Sequence, residues 1–398
     1  MVDFVPDDTA ELRGWRNEAR QFLEETIPGG FYFDYDYDES PERWAKCIDF
    51  WQAVGRKGWT ALTWPAAYYG QGRSAIERYI LQEEFCTYAA PNYPVIGLAV
   101  ATALLRHGTP EQKKQHLKGI AECTTLWGEG YSEPGAGSDL AALTTTARRD
   151  GDGWILNGQK TLGTAAHMCQ WMMVLARTEV GVQRHAGISC FILSLDLPGV
   201  TLLPLENMAD GQQNQTFFDN VRLPADALLG TEGQAWTEIW FGQGGEKLVA
   251  GTPPDIWQMR IERQLKLLRG YCAETQRHGA PLDQDPVVRL QLAELYSGVE
   301  LLKLHAKENY AQSTQLDWHA SNPVSPIMNL GWFKEFWPDF CQTYMDILGP
   351  QAMVAEGPDA LCNGHFEHYF RASFGNHAGG TAQLKRMTMA TRGLGLPR

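Results

Sequence analysis

Between Thr9 and Glu122 the apolar side chains recur at helical intervals: Leu12, Trp15, Phe22 and Leu23, then Trp44, Ile48, Trp51 and Val54, then Ile76, Tyr79, Ile80 and Phe85. Such spacing puts them on one face of each helix and predicts a helical stretch. Thr109-Pro110-Glu111-Gln112 offers a capping hydroxyl, a proline at the first helical position and an acid in the first turn, which predicts a helix start. From Cys123 to Gly230 the period shortens. Trp154-Ile155-Leu156 and Gln159-Lys160-Thr161, separated by Asn157-Gly158, predict a hairpin on a tight Asn-Gly turn. Strand-like runs follow at Trp171 to Ala176, Ile188 to Leu195, Val200 to Leu205 and Thr216 to Phe218, punctuated by Pro198-Gly199 and Pro224. The middle third therefore reads as a small antiparallel β domain. Helical periodicity returns after Thr237, with Ile256, Met259, Ile261, Leu265 and Leu268, then Val288, Leu292, Leu295, Val299 and Leu302. The expected class is α+β, with a helical domain over 1–122, a β domain over 123–235 and a second helical domain over 236–398. Asn322-Pro323-Val324-Ser325-Pro326 is the expected exposed loop of the last domain.

Composition narrows the function classes. The 398 residues are 44% hydrophobic and 20% charged, an ordinary globular balance. A net charge of −13 tells against broad binding to nucleic acid or to an anionic membrane. The weakly polar run from Tyr93 to Leu105 falls short of the roughly 20 residues a membrane helix needs. Met1 to Asp8 is acidic and lacks the pattern of an export or import signal, so a cytoplasmic location is expected. Eight cysteines without a CxxC pair read as core thiols in a reducing compartment. No P-loop, HExxH or GxSxG pattern supports an NTPase or hydrolase.

The segment with the most chemistry is Gly130-Tyr131-Ser132-Glu133-Pro134-Gly135-Ala136-Gly137-Ser138-Asp139. Glycines around an alanine let backbone N–H groups approach an anion, and Ser132 and Ser138 add short donors; such a segment also occurs as a plain turn. His365 and His368 lie three apart, compatible with one helix face, but with no third metal ligand evident nearby they read as core or surface histidines. Trp236, Trp240, Trp332 and Trp337 are suited to lining an acyl pocket or to packing.

Taken together, several segments resemble the acyl-CoA dehydrogenase family, in family order along the whole chain. The 130–139 loop is similar to that family's flavin-binding segment. Gly158-Gln159-Lys160 followed by Gly163-Thr164-Ala165-Ala166-His167 and Trp171 resembles its second flavin segment. Phe217 to Asp226 resembles the stretch leaving the family's β domain, and Gly380-Thr381-Ala382-Gln383 its C-terminal cofactor motif. Leu62-Thr63-Trp64-Pro65 and His107 to Lys113 resemble its N-terminal domain. The resemblance implies a C-terminal four-helix bundle and FAD as cofactor. It also implies α,β-dehydrogenation of an acyl-CoA thioester, with an electron-transfer flavoprotein reoxidising the flavin. Tyr131, Ser132, Ser138, Leu162, Gly163, Thr164, Arg277, Gly349, Thr381 and Gln383 match cofactor-binding positions, and Ser138 and Lys247 match substrate-binding ones.

Three departures from the family pattern sharpen the expectation. The usual base is the Glu of a Glu-Gly-Thr motif, but the matching triplet is Gly379-Gly380-Thr381, so the carboxylate is missing and only the Gly379 N–H is kept as an oxyanion contact. A minority of the family carries its Glu at the start of the last domain, and Gly245-Glu246-Lys247-Leu248-Val249 matches that pattern. Alone, Glu246 reads as an acid at a helix N-terminus; with Gly379 vacant it reads as the base. Leu162 stands where a Trp commonly lies on the flavin, and Glu129 where an aromatic is common. Around Arg277 the register is shifted, and one glycine of a usual pair remains at Gly349. These variants resemble the bacterial subgroup acting on steroid side chains and other bulky acids, which often works as α2β2 tetramers. A non-catalytic partner subunit, or a flavin oxidase or monooxygenase on the same scaffold, are the alternative readings.

Overall fold

The computed structural model describes residues 9–28, 41–91, 95–182, 184–208, 213–241, 256–313, 325–374 and 380–397. They belong to two compact units, one of residues 35–74 and 91–252, the other of residues 1–34, 75–90 and 253–398.

The first unit is built on a mixed sheet. Its strands are β1 (Trp127–Gly130), β2 (Thr146–Asp150), β3 (Gly153–Thr164), β4 (Trp171–Arg177), β5 (Ile188–Ser194), β6 (Val200–Leu205), β7 (Gln213–Leu223) and β8 (Leu228–Leu229). They lie in the order β6-β7-β3-β2-β4-β5-β8, with β1 also paired to β4. Apolar runs explain the centre: in β4, Met173 and Leu175 face one hydrophobic cluster while Met172, Val174 and Ala176 face another, so the strand is buried on both sides. The cluster under Met173 and Leu175 also holds Leu98, Val100, Leu104, Leu117 and Ile120 from the helices α4 (Val95–His107) and α5 (Pro110–Ala121). Helix α5 starts where the sequence predicts. The Thr109 hydroxyl accepts from the Gln112 N–H at 3.2 Å, and the Gln112 side chain accepts from the Thr109 N–H at 3.0 Å, a reciprocal cap. The same Gln112 amide donates to the carbonyls of Asp226 (2.7 Å) and Leu228 (2.9 Å), fastening the helix to the sheet margin.

Two details differ from the sequence reading. Asn157-Gly158 is no turn: β3 passes straight through it, and the hairpin closes at Gly151-Asp152, where Asp150 faces Gly153. Gly158 sits at φ +139, outside the geometry of a type I′ turn, beside a register shift in the β3–β7 pairing. A Cβ there would meet Thr145 Cα at 2.7 Å, so the glycine serves close backbone approach. The sheet is also not wholly antiparallel, because β1 runs parallel to β4 from Trp127↔Trp171 to Gly130↔Val174. Two glycines in four residues hide this strand from propensity reasoning.

The second unit is helical: α1 (Ala10–Thr26), α3 (Ala75–Thr87), α6 (Ile256–Glu274), α7 (Pro286–Ser313), α8 (Ser325–Leu348), α9 (His365–Phe374) and α10 (Ala382–Thr388), with α2 (Pro41–Arg56) belonging to the first. Glu84, almost fully buried on α3, receives Arg16 at 2.6 Å and Arg20 at 2.8 Å from α1. Along α8 an aromatic ladder runs from Trp332–Phe336 and Phe333–Trp337 through Phe340 to Tyr344. The Tyr344 hydroxyl donates to the Phe366 carbonyl at 2.6 Å, joining α8 to α9. Of the expected loop at 322–326, Ser325 already begins α8, and 322–324 lie outside the described residues. All eight cysteines are free thiols; Cys169 and Cys362 are half-buried and the other six buried.

Candidate active site

Strand β1 delivers the chain to Tyr131 at the end of the sheet, where the Gly-rich loop begins. Tyr131, Glu133 and Ala136 point inward, whereas Gly135, Gly137 and Ser138 are exposed. Glu133 and Ala136 exchange backbone hydrogen bonds of 3.1 and 3.0 Å, closing a small turn. The far end is held by Arg177, the last residue of β4. Its guanidinium donates to the carbonyls of Ala141 (2.9 Å), Ala186 (3.2 Å), Arg184 (3.3 Å) and Leu143 (3.4 Å). Arg184 also pairs with Asp139.

Beneath the loop lies a buried ion pair. Lys160 Nζ is 2.8 Å from Glu133 Oε1 and donates to the Tyr131 carbonyl at 3.1 Å. Glu133 also accepts from the Thr145 N–H (2.9 Å) and from the Thr144 N–H and hydroxyl (both 2.7 Å). Burial pushes the Lys160 ammonium down to about 8, against the pull of Glu133. Burial would raise the Glu133 carboxyl, but the Lys160 charge and its hydrogen-bond donors prevail and hold it near 2.

On β3 a second register shift falls between Lys160 and Gly163. It turns Leu162 outward, 49% exposed, at φ +61, a left-handed conformation uncommon for a residue with a Cβ. Gly163 is buried, with its carbonyl receiving the Asn214 side chain at 3.2 Å; the same Asn214 amide lies 3.2 Å from His167 Nδ1. Thr164 is half-buried at the strand end, opposite Gln213. The Thr161 N–H donates to the Ser132 carbonyl at 2.9 Å, so the Tyr131-Ser132 and Thr161–Thr164 segments lie side by side. The structure thus brings together Tyr131, Ser132, Leu162, Gly163 and Thr164.

In the helical unit, Arg277 sits on a short hairpin, β9 (Gln276–Arg277) with β10 (Ala280–Pro281), and donates to the Ile347 carbonyl at 3.0 Å. Gly349, at φ +73, follows two residues later, so those two candidates are neighbours. Thr381 caps α10, its hydroxyl accepting from the Leu384 N–H at 3.3 Å, and Gln383 is exposed one step into that helix. Glu246, Lys247 and Gly379 lie outside the described residues. Trp337 is buried against Phe333 in the α8 ladder and Trp236 tilts on His185 at 4.6 Å. His365 is buried with Nε2 at 2.6 Å from Gln264 Nε2, and among the described residues no group of three His, Cys, Asp or Glu could hold a metal ion. Sequence reasoning passed over Arg177, Asn214 and the Glu133–Lys160 partnership. Residues 132–138 and 158–160 carried the only hint, being motif residues with no assigned partner.

Comparison with known proteins supplies the class. The acyl-CoA dehydrogenase N-terminal domain matches residues 9–124, the middle domain residues 128–221 and the C-terminal domain residues 256–394. The chain belongs to the acyl-CoA dehydrogenase family and is an FAD-dependent oxidoreductase acting on acyl-CoA. Among its relatives, acyl-CoA dehydrogenase IpdE1 of Mycobacterium tuberculosis is 34% identical over 412 residues, spanning 99% of this chain and 98% of that protein. Acyl-CoA dehydrogenase FadE26 of the same organism is 32% identical, spanning 87% of this chain and 86% of that one. A solved structure described as the steroid ACAD Tcur3481-Tcur3483 superposes with a TM-score of 0.86 at 27% identity, over 98% of this chain and 99% of that one. The ChsE4-ChsE5 complex from Mycobacterium tuberculosis gives 0.84 at 28%, over 99% of this chain and 100% of that one.

The residues present fit FAD. An isoalloxazine ring needs an apolar platform, and Leu162 is an exposed leucine turned outward by a bulge. It also needs short donors at close range. At Gly135 and Gly137 nothing lies within 4 Å of where a Cβ would stand, so the backbone there is open to close approach. Among the described residues, the helix of no segment is long and apolar enough to cross a membrane.

Proposed function

We propose that this chain catalyses α,β-dehydrogenation of a bulky or branched acyl-CoA, with Glu246 as base. The observation that carries the reading is the pairing of a glycine at 379 with a glutamate at 246, the one carboxylate that matches an alternative base position. In this scheme the α-proton passes to the Glu246 carboxylate as the α,β double bond forms, and the Gly379 N–H steadies charge on the thioester oxygen. Bound FAD supplies the two-electron acceptor for the β-hydrogen. Tyr131, Ser132, Ser138, Leu162, Gly163, Thr164, Arg277, Gly349, Thr381 and Gln383 are the proposed cofactor-binding residues. Ser138 and Lys247 contact the substrate. An electron-transfer flavoprotein takes the electrons away, in the cytoplasm, and 1–122, 123–235 and 236–398 are the proposed domain division.

A glycine in place of the usual glutamate opens space beside the reacting carbons, which favours a wide acyl group; the steroid description of one structural relative points the same way. A panel of acyl-CoA thioesters checks this. The highest kcat/KM is expected for branched or ring-bearing acyl groups, and a linear chain in first place defeats the substrate assignment.

Assembly with an unlike chain, as α2β2, is the second part of the proposal. Leu162 gives a weaker platform than an aromatic, so a complementary partner would restore what the site lacks. On α7, Val287, Leu290, Leu301 and Leu304 are all exposed and fall on one helix face, an apolar surface suited to burial between chains. A structural relative is itself a two-chain complex. The competing reading is a non-catalytic partner subunit, favoured by the same Gly379 and Leu162. Native mass spectrometry with flavin quantitation is expected to show a heterotetramer with fewer FAD than chains. An active homotetramer carrying one FAD per chain rules the heteromer out.

A further inference from the structure

We infer that the buried Glu133–Lys160 pair is a positioning device for the flavin, holding the Tyr131-Ser132 and Thr161-Leu162 peptides in one fixed register before FAD arrives. The inference rests on the proposed reading of those peptides as the flavin face.

Three observations carry it. Lys160 spends its charge on the backbone as well as on the carboxylate: besides Glu133 it reaches the Tyr131 carbonyl at 3.1 Å, the first residue of the loop. Glu133 gathers four donors from the far end of that loop and from β3, namely Lys160, the Thr145 N–H, and the N–H and hydroxyl of Thr144. The chain also makes room for the lysine stem. A Cβ on Gly130 would stand 3.3 Å from Lys160 Cγ and 2.9 Å from Val174 Cγ2, so the glycine in β1 clears the route along which the ammonium reaches the loop.

The geometry gives the pair its reach. Lys160 lies two residues before Leu162, and Glu133 directly follows Ser132. Between them the Thr161 N–H to Ser132 carbonyl bond, 2.9 Å, closes a ring of contacts around the two peptides. Both charges are almost fully buried, which makes the pair a poor source of net stability, since apolar replacement of a buried pair is often neutral or better. Preorganisation of a binding loop is the return that such a pair can give, because a ligand then need not order the loop itself.

A mutant cycle separates positioning from simple support. Glu133→Gln and Lys160→Met alone each strand a buried polar or charged group and are expected to lower Tm and FAD affinity together. The double variant Glu133→Gln/Lys160→Met removes both charges; it is expected to recover Tm while binding FAD about tenfold or more weakly, because the donor to the Tyr131 carbonyl is gone. Both are measured on the chain as purified with whatever partner accompanies it, after flavin removal, by quenching of FAD fluorescence and by the flavin absorption envelope. Recovery of affinity along with Tm overturns the inference, as does wild-type affinity in the single variants.

Hydrogen exchange on the flavin-free wild type decides the matter even where the double variant fails to fold. Slow exchange at the Glu133, Thr144, Thr145 and Thr161 amides before FAD is added is expected. Fast exchange that slows only on adding FAD overturns the inference. Failure of the underlying reading looks different: Leu162→Trp would then leave the flavin spectrum and fluorescence of the loaded protein unchanged, whatever the pair variants do.

Discussion

Glu246→Gln is expected to abolish substrate-dependent flavin bleaching while FAD content and Tm stay at wild-type values. A carboxamide keeps the shape of the side chain and cannot accept the α-proton, so the loss should be on the order of 10²-fold to 10⁴-fold in rate. The reasoning is by position: glycine at 379 has no group to take a proton, and Glu246 stands in the only segment matching another base position. Stopped-flow reduction of the loaded enzyme by an accepted acyl-CoA measures it. Unchanged bleaching in the variant would show that the base is elsewhere. Loss of FAD together with activity would place Glu246 in cofactor binding instead. The complementary change, Gly379→Glu in the Glu246→Gln background, is expected to regain part of the rate for narrow acyl groups, because it restores a carboxylate at the expense of space.

What could be read in advance follows the range of the interactions. Helix α5 was legible because its cap is local: Thr109, Pro110 and Gln112 lie within four residues and satisfy one another's backbone groups. Strands β4 and β5 were legible because burial on both faces demands unbroken apolar runs. Misreading began where a local signal had a distant cause. Asn157-Gly158 carries the strongest short-range turn signal there is, yet its glycine answers to Thr145 across the neighbouring strand. The Gly-rich loop was legible as a loop from its glycines and serines, but Glu133 and Lys160, 27 residues apart, each resemble an ordinary surface charge until the fold buries them together. Arg177 is the same case, since a lone arginine at a strand end gives no sign that four carbonyls await it. Helices α1 and α3, tied to each other through Glu84, Arg16 and Arg20, belong with the C-terminal helices in one compact unit, a grouping that hydrophobic periodicity does not encode.

Gly158→Ala is expected to be among the most damaging single methyl additions in the sheet unit. At φ +139 an L residue is strained whatever its surroundings. The new Cβ would in addition stand 2.6 Å from Thr145 Oγ1, 2.7 Å from its Cα and 2.9 Å from its Cβ, so the backbone just before β2 must move. Strain and overpacking each cost on the order of 1–3 kcal/mol, and here they add at one site. A loss of that size lowers Tm by roughly 2–7 °C in a chain of this length. The harm should not stop at stability. Thr145 donates its N–H to Glu133 at 2.9 Å, so displacing it disturbs the carboxylate that gathers the Gly-rich loop, and on the proposed reading of that loop FAD affinity should fall with Tm. Gly14→Ala is the control: it lies exposed inside α1 with nothing within 4 Å of the added methyl, and alanine there is expected to stabilise by about 1 kcal/mol. Differential scanning calorimetry with FAD titration on both variants measures the contrast. Wild-type Tm in Gly158→Ala would mean that β3 can slide away from Thr145 at little cost, and the close approach of the two strands would then not be what requires the glycine.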